Sequence, residues 1–116
     1  MKMALPEIQS ITSDDFERLL KGEEQLSIVE FAEESNGACD MMRPVFERVD
    51  SVYHQRIFFA RIMLDVEDSL RQQYRIHRTP LYLFIRNGEI FDTLQGLISV
   101  EKFLTHIKQH LDKPTQ

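Results

Sequence analysis

Apolar positions along the chain alternate between a helical and a strand spacing, with turn-forming residues between the segments. A first helix is predicted with Ser13 as its N-cap and an end near Gly22. The run 27–32 is apolar on both faces apart from Glu30. Such a short, doubly apolar run is typical of a central strand that is covered on both sides.

The rest of the pattern completes an alternating order of helices and strands. Asn87-Gly88 is a typical hairpin turn between two strands. Successive β, α and β elements give parallel strands, and a terminal hairpin adds an antiparallel pair. The order αβαβαββα therefore predicts a three-layer α/β sandwich with a mixed central sheet flanked by helices. The predicted later elements are a helix over about 36–54, strands over 57–64, 81–85 and 89–94, a helix over 65–74, and a last helix opened by Ser99 and reaching Leu111.

Length and composition restrict the possible functions. The chain has 116 residues, a formal net charge of -5 and one cysteine. We expect one domain over 1–116, with its core at about 11–111 and short flexible termini. A single cysteine excludes an internal disulfide, and scattered Lys and Arg argue against nucleic-acid binding. With no apolar run of membrane-spanning length and no recognisable leader, the sequence predicts a soluble cytoplasmic protein that does not bind membranes.

In open α/β sheets, functional sites lie beyond the carboxyl ends of the strands. The segment from Glu33 to Cys39 follows the first predicted strand, and Thr79-Pro80 precedes a later one. These two segments therefore form the expected functional rim.

The segment 31–44 resembles the active-site stretch of the thioredoxin family, in which Trp-Cys-Gly-Pro-Cys precedes a helix that contains a proline. Cys39 and Pro44 match the last cysteine and the helix proline of that stretch. The positions that differ are Ser35 at the tryptophan, Asn36 at the first cysteine and Ala38 at the second proline. The motif thus reads Asn-Gly-Ala-Cys in place of Cys-Gly-Pro-Cys.

Two further strings extend the resemblance over about 11–111. Thr79-Pro80 before an apolar strand resembles the family's cis-proline turn, and the predicted hairpin with Gly96 after it fits the family's last strands. The resemblance implies the thioredoxin fold and a peptide-binding groove formed by Thr79, Pro80, Gly96 and Leu97. A trans proline in an ordinary turn is the alternative for Pro80.

The resemblance implies thiol-disulfide exchange, but that reaction needs a nucleophilic first cysteine. Asn36 has no thiol, whereas asparagine is one of the best helix N-caps. We therefore expect a degenerate active-site loop and a binding or accessory module in cell redox homeostasis, without ordinary disulfide reductase activity. Its expected partner is a protein or extended peptide at the Pro80 groove; the oligomeric state stays open. The loop residues are Ser35, Asn36, Gly37, Ala38 and Cys39.

Cys39 leaves an alternative function open. A cysteine one turn inside a helix is often a buried core residue, which packs as a small hydrophobe. A lone thiol near a helix start can also form a mixed disulfide or be oxidised to sulfenic acid. The alternative is therefore a single-cysteine oxidoreductase or redox sensor with Cys39 as its catalytic residue.

Glu30 and Arg61 form a candidate buried ion pair on neighbouring predicted strands. The resemblance places Glu30 at the family's buried, proton-transferring acid and Arg61 at its buried lysine. A permanently charged guanidinium holds an acid ionised, so a structural ion pair is expected in preference to proton relay.

His106 and His110 are four residues apart on the last predicted helix, a spacing that can bind zinc. No cysteine or third ligand has a recognisable spacing to them, so both are expected to be surface histidines. The sequence predicts no metal site and no cofactor.

Overall fold

In the part of the chain that the computed structural model describes, residues 7–22, 24–65 and 69–111, five strands form one sheet flanked by four helices. The strands are β1 (Gln9–Ser10), β2 (Ser27–Ala32), β3 (Phe58–Met63), β4 (Leu81–Arg86) and β5 (Glu89–Gln95). The helices are α1 (Ser13–Leu19), α2 (Gly37–Tyr53), α3 (Ser69–Gln73) and α4 (Val100–Leu111).

The sheet has the strand order β1-β3-β2-β4-β5. β3 runs parallel to β1 and β2, while β4 is antiparallel to β2 and β5. β2 is the central strand, and all six of its residues are buried, as its apolar pattern predicts. The architecture confirms the predicted three-layer sandwich with a mixed sheet.

Alternate residues of the strands build a separate core on each face of the sheet. On one face, Phe46 of α2 and Phe103 of α4 pack with Tyr82, and all three rings are fully buried. On the other face, Phe16 of α1 packs edge-on against Phe31. Burial of each such aromatic ring stabilises the fold by about 2 to 3 kcal/mol relative to exposure.

The hairpin between β4 and β5 forms where the sequence predicts it. Asn87 and Gly88 have φ of 54° and 78°, which a type I′ turn needs at both central positions. A Cβ added at Gly88 would also lie 2.9 Å from the carbonyl oxygen of Leu20. Glycine is thus required at this turn for two reasons: the backbone is left-handed, and the chain after α1 leaves no room for a Cβ.

The start of the chain differs from the prediction in two respects. Thr12, and not Ser13, is the N-cap of α1: its hydroxyl accepts the Asp15 N–H at 3.2 Å, and the Asp15 carboxylate accepts the Thr12 N–H at 3.1 Å. This reciprocal capping box explains why the helix begins one residue earlier. Gln9–Ser10 also pairs with β3, so this segment is a strand and not part of a flexible terminus.

Other differences concern the length of elements. Of the helix predicted over 65–74, residues 66–68 lie outside the described residues, and the structure shows helix at Ser69–Gln73, with turns and not helix at Asp65 and Tyr74. The remaining parts of the predicted flexible termini, 1–6 and 112–116, also lie outside them. Within the described ranges, none of the helices is long and apolar enough to cross a membrane.

Candidate functional site

The predicted functional rim brings together three segments that are distant in sequence: the loop after β2, the turn before β4, and the segment after β5. The Thr79-Pro80 peptide bond is cis, the isomer that the resemblance implies. Gly96 lies beside this turn, because its N–H donates to the carbonyl oxygen of Pro80 at 2.9 Å. The Ile98 N–H lies 3.3 Å from Met42 Sδ, which places the same segment beside α2.

Asn36 is the N-cap of α2 and uses both ends of its side-chain amide. Its Oδ1 accepts the Cys39 N–H at 3.0 Å, and its Nδ2 donates to Thr79 Oγ1 at 3.3 Å. The first bond satisfies one of the free donors at the start of a helix. The second joins the loop after β2 to the cis-proline turn.

The hydroxyl of Thr79 continues this connection to Glu33 and Arg71. Thr79 Oγ1 donates to Glu33 Oε1 at 2.6 Å, and Arg71 Nη2 donates to Glu33 Oε2 at 2.5 Å. These two bonds, with the Thr79 bond the larger influence, lower the pKa of the Glu33 carboxyl. Glu33 is therefore an ionised acceptor, and together with Asn36 it fixes the Thr79 side chain.

Cys39 lies in the first turn of α2 and is only 4% exposed. It lines a cavity of about 260 Å³ together with Glu30, Arg43 and Arg61. The cavity lies on the side of the sheet that faces α2, and two guanidinium-bearing residues contribute to its wall. The cysteine is thus buried from bulk solvent but borders a small, partly charged space.

Glu30 is 1% exposed and has a partner for each carboxylate oxygen. Arg61 Nε donates to Glu30 Oε1 at 2.5 Å, and the Tyr82 hydroxyl donates to Oε2 at 2.7 Å. All three residues lie in one row of the sheet, since Glu30 is in register with Arg61 on β3 and with Tyr82 on β4. Burial, reinforced by the neighbouring Glu30 charge, raises the pKa of Tyr82 far above its usual range, so its hydroxyl remains a donor.

The predicted groove residues differ in their accessibility. Leu97 is 60% exposed, whereas Thr79 is 7% exposed and Pro80 is buried. Within the described ranges, the Thr79 backbone N–H and C=O have no hydrogen-bond partner. Met41, on the first turns of α2, is another exposed apolar side chain at 64%.

Sequence reasoning placed Glu33 at the expected functional rim without its partners, and it missed Arg71 and Tyr82. The position of Glu33 directly after a buried strand is the signal that placed it at the rim. The register of Tyr82 with Glu30 follows only from strand pairing. Nothing in the local sequence around Arg71 indicates its partner 38 residues away.

The histidine pair on α4 also differs from expectation. The side chains of His106 and His110 are 25% and 14% exposed, so they are partly buried and not surface histidines. Asp92 Oδ2 lies 2.6 Å from His106 Nε2 and 2.7 Å from His110 Nε2. Burial raises the pKa of Asp92, but hydrogen bonds from His110, the Thr93 N–H and His106 outweigh this, and the pKa is lowered overall.

Comparison with known proteins agrees with this architecture. A family model described as Thioredoxin matches residues 7–109. The thioredoxin of Malassezia sympodialis is 28% identical over 104 residues, which are 89% of this chain and 98% of that protein. Its crystal structure superimposes with a TM-score of 0.81 at 26% identity, covering 95% of this chain and 96% of that chain. The crystal structure of thioredoxin from Trypanosoma brucei brucei gives a TM-score of 0.82 at 16% identity, covering 97% of this chain and 98% of that one, a likeness of fold. The chain therefore belongs to the thioredoxin family and carries a single cysteine, Cys39.

Proposed function

We propose that this protein binds an extended peptide or protein segment at the Pro80 groove and has no ordinary disulfide reductase activity. Its role is that of an accessory module in redox homeostasis. The observation that carries the proposal is the pair of hydrogen bonds made by the Asn36 side-chain amide, one that caps α2 and one to Thr79. A capping amide at the position of an attacking sulfur cannot start thiol-disulfide exchange.

The groove itself supports binding of an extended chain. The backbone N–H and C=O of Thr79, which have no partner among the described residues, are a donor and an acceptor to which a peptide backbone can add as a short strand. Only 7% of Thr79 is exposed, so an incoming peptide reaches it with its own backbone and not with a large side chain. Leu97 then supplies exposed apolar surface at the edge of the groove.

A turnover assay for disulfide reduction tests the missing activity. We expect the unmodified protein to give the background rate, because it has no cysteine at position 36. Asn36→Cys should restore measurable reduction, since it places a thiol at the start of α2 beside Cys39. Ser35→Cys is the matched control: it adds a thiol one residue earlier, outside the capping position, and should stay near background. Turnover by the unmodified chain would refute the proposal.

Peptide binding is tested separately with an array of short, cysteine-free peptides. We expect Leu97→Asp to weaken the binding of peptides selected on the unmodified protein by about 10-fold, because it adds a charge to the apolar edge of the groove. Val52→Asp changes another exposed apolar residue, near the far end of α2, and should leave binding unchanged. Equal losses in the two variants would place the binding elsewhere.

The cavity beside Cys39 favours a second candidate function, a peroxide sensor. In that reaction the Cys39 thiolate attacks a peroxide oxygen, the O–O bond breaks, and sulfur is oxidised to sulfenic acid while the peroxide leaves as an alcohol after taking a proton. The cavity gives a small peroxide a space beside the thiol, and its wall carries Arg43 and Arg61 together with acidic residues such as Glu30. Rapid trapping of a sulfenic acid after peroxide treatment would support this function, and slow alkylation of Cys39 across neutral pH would reject it. The cytoplasmic location stays a prediction from the sequence.

A further inference from the structure

We propose that Asp92, His106 and His110 form a binding site for a divalent cation of the zinc type. The site lies where β5 meets α4, apart from the loop that carries Asn36 and Cys39. Each of the three residues offers one ligand atom, an imidazole nitrogen or a carboxylate oxygen, and these atoms all lie within 4.8 Å of one another. This arrangement places three donors of suitable chemistry around one point.

The three ligands come together through a helix repeat and a sheet irregularity. His106 and His110 are four residues apart on α4, so their side chains lie on one face of the helix. Asp92 is paired with Phe84 of β4, whose side chain faces the same core as α4. The register of β4 and β5 shifts immediately afterwards, and this bulge leaves Phe91 as an extra residue.

Aromatic packing fixes the orientation of both imidazole rings. The Phe84 ring lies 5.2 Å from the ring of His106 and 5.5 Å from that of His110, measured between centroids. The Phe91 ring stands perpendicular to His110 at 4.8 Å. Ligands that are already oriented lose less conformational freedom when a cation binds.

The carboxylate is also oriented by a neighbouring group. Asp92 Oδ1 accepts the N–H of Thr93 at 2.8 Å, which leaves Oδ2 facing both histidines. Hydrogen bonds of this kind to a ligating group are typical of metal centres. The backbone N–H of Thr93 therefore orients the Asp92 carboxylate, as a hydrogen-bonding side chain orients a ligand in other metal centres.

Two imidazoles and one carboxylate suit zinc, which takes such donors in tetrahedral geometry. Donor atoms in that geometry lie about 3.3 Å apart, so each present hydrogen bond to Asp92 Oδ2 lengthens by roughly 0.7 Å when zinc enters. Zinc binds the lone pair of each Nε2, so a proton carried there is released when the cation enters. Three protein ligands leave the fourth position to water or to an external ligand.

Calorimetric titration of the whole, chelator-treated protein with zinc chloride tests the site. We expect one zinc ion per chain, and a loss of affinity of about 10-fold or more in each of His106→Gln, His110→Gln and Asp92→Asn. His77→Gln and Cys39→Ala are controls, since both residues lie outside the cluster, and they should bind zinc as the unmodified chain does. Absence of binding, or equal affinity in the double variant H106Q/H110Q, would overturn the proposal.

A second measurement on the unmodified chain does not depend on the folding of any variant. In nuclear magnetic resonance spectra, saturating zinc should shift the ring signals of His106 and His110 and leave those of His54 and His77 in place. The thermal midpoint should rise with zinc concentration, as binding to the folded state requires. Shifts confined to His54 or His77 would contradict the assignment.

Discussion

The side-chain amide of Asn36 joins Cys39, in its own helix, to Thr79, which is 43 residues away in the chain. One bond caps α2 and the other holds the cis-proline turn, so a single residue fixes the relative position of the loop after β2 and the turn before β4. In a thioredoxin-family fold with one cysteine, this residue performs a structural task at the functional rim.

Asn36→Ala should lower the free energy of unfolding by about 1 kcal/mol, because it removes the N-cap of a 17-residue helix. Asn36→Ser should recover most of this loss, because serine also caps helices, but its shorter side chain cannot also reach Thr79. Urea unfolding of the three proteins measures the difference. Equal stability of the alanine variant and the unmodified protein would show that the cap contributes nothing.

Glu33→Gln should destabilise the protein at neutral pH by about 1.5 kcal/mol, because Thr79 and Arg71 both donate to the ionised carboxylate. The pKa of Glu33 is lowered on folding, so this stability is fully present above the ordinary value of 4.5 and is lost as the pH falls through the lower folded value. Unfolding midpoints measured against pH should therefore converge for the two proteins in acid. Glu34→Gln, a change in the exposed neighbouring side chain, is the control and should show little difference at any pH.

Asp50 should change the stability with pH in the direction opposite to Glu33. Its side chain is fully buried, Oδ2 accepts the Glu7 N–H at 2.7 Å, and Oδ1 has no partner among the described residues. Burial raises the pKa of Asp50, so its contribution to stability decreases as the pH rises from the ordinary value of 3.8 through the raised folded value.

Asp50→Asn removes this titration, and we expect the stability of the variant relative to the unmodified protein to increase with pH over that window. Thermal unfolding at several pH values measures the trend. Asp14→Asn is a control in an exposed first turn. A difference between variant and unmodified protein that stays constant with pH would contradict the expected titration.

Tyr82→Phe should lower the free energy of unfolding by about 1 to 3 kcal/mol, because it leaves one oxygen of the buried Glu30 carboxylate without its donor. Tyr53→Phe is the matched control, since Tyr53 lies at the end of α2, away from Glu30. Chemical denaturation distinguishes the two variants. A loss of the same size in both would assign the effect to the hydroxyl group in general and not to the partnership with Glu30.

The pattern of apolar positions determined the order of the elements from α1 onward, the central place of β2 and the two-sided core, because burial requires these periods locally. It missed the two-residue strand β1, which is too short to show a period. It also located the hairpin at Asn87-Gly88, where two positive φ angles need those residue types. The capping role of Asn36 likewise followed from its residue type at the start of a helix. The single cysteine excluded dithiol chemistry within this chain from composition alone.

Strand register and helix packing decided which distant residues meet. Such residues lie on different elements, so no regular spacing in the sequence connects them. Pairing of β2 with its two neighbours gave Glu30 its second partner, Tyr82. The shift of register between β4 and β5 accompanies the meeting of Asp92 with His106 and His110. Local spacing showed only the two histidines, because the third donor lies on another element and reaches them through space.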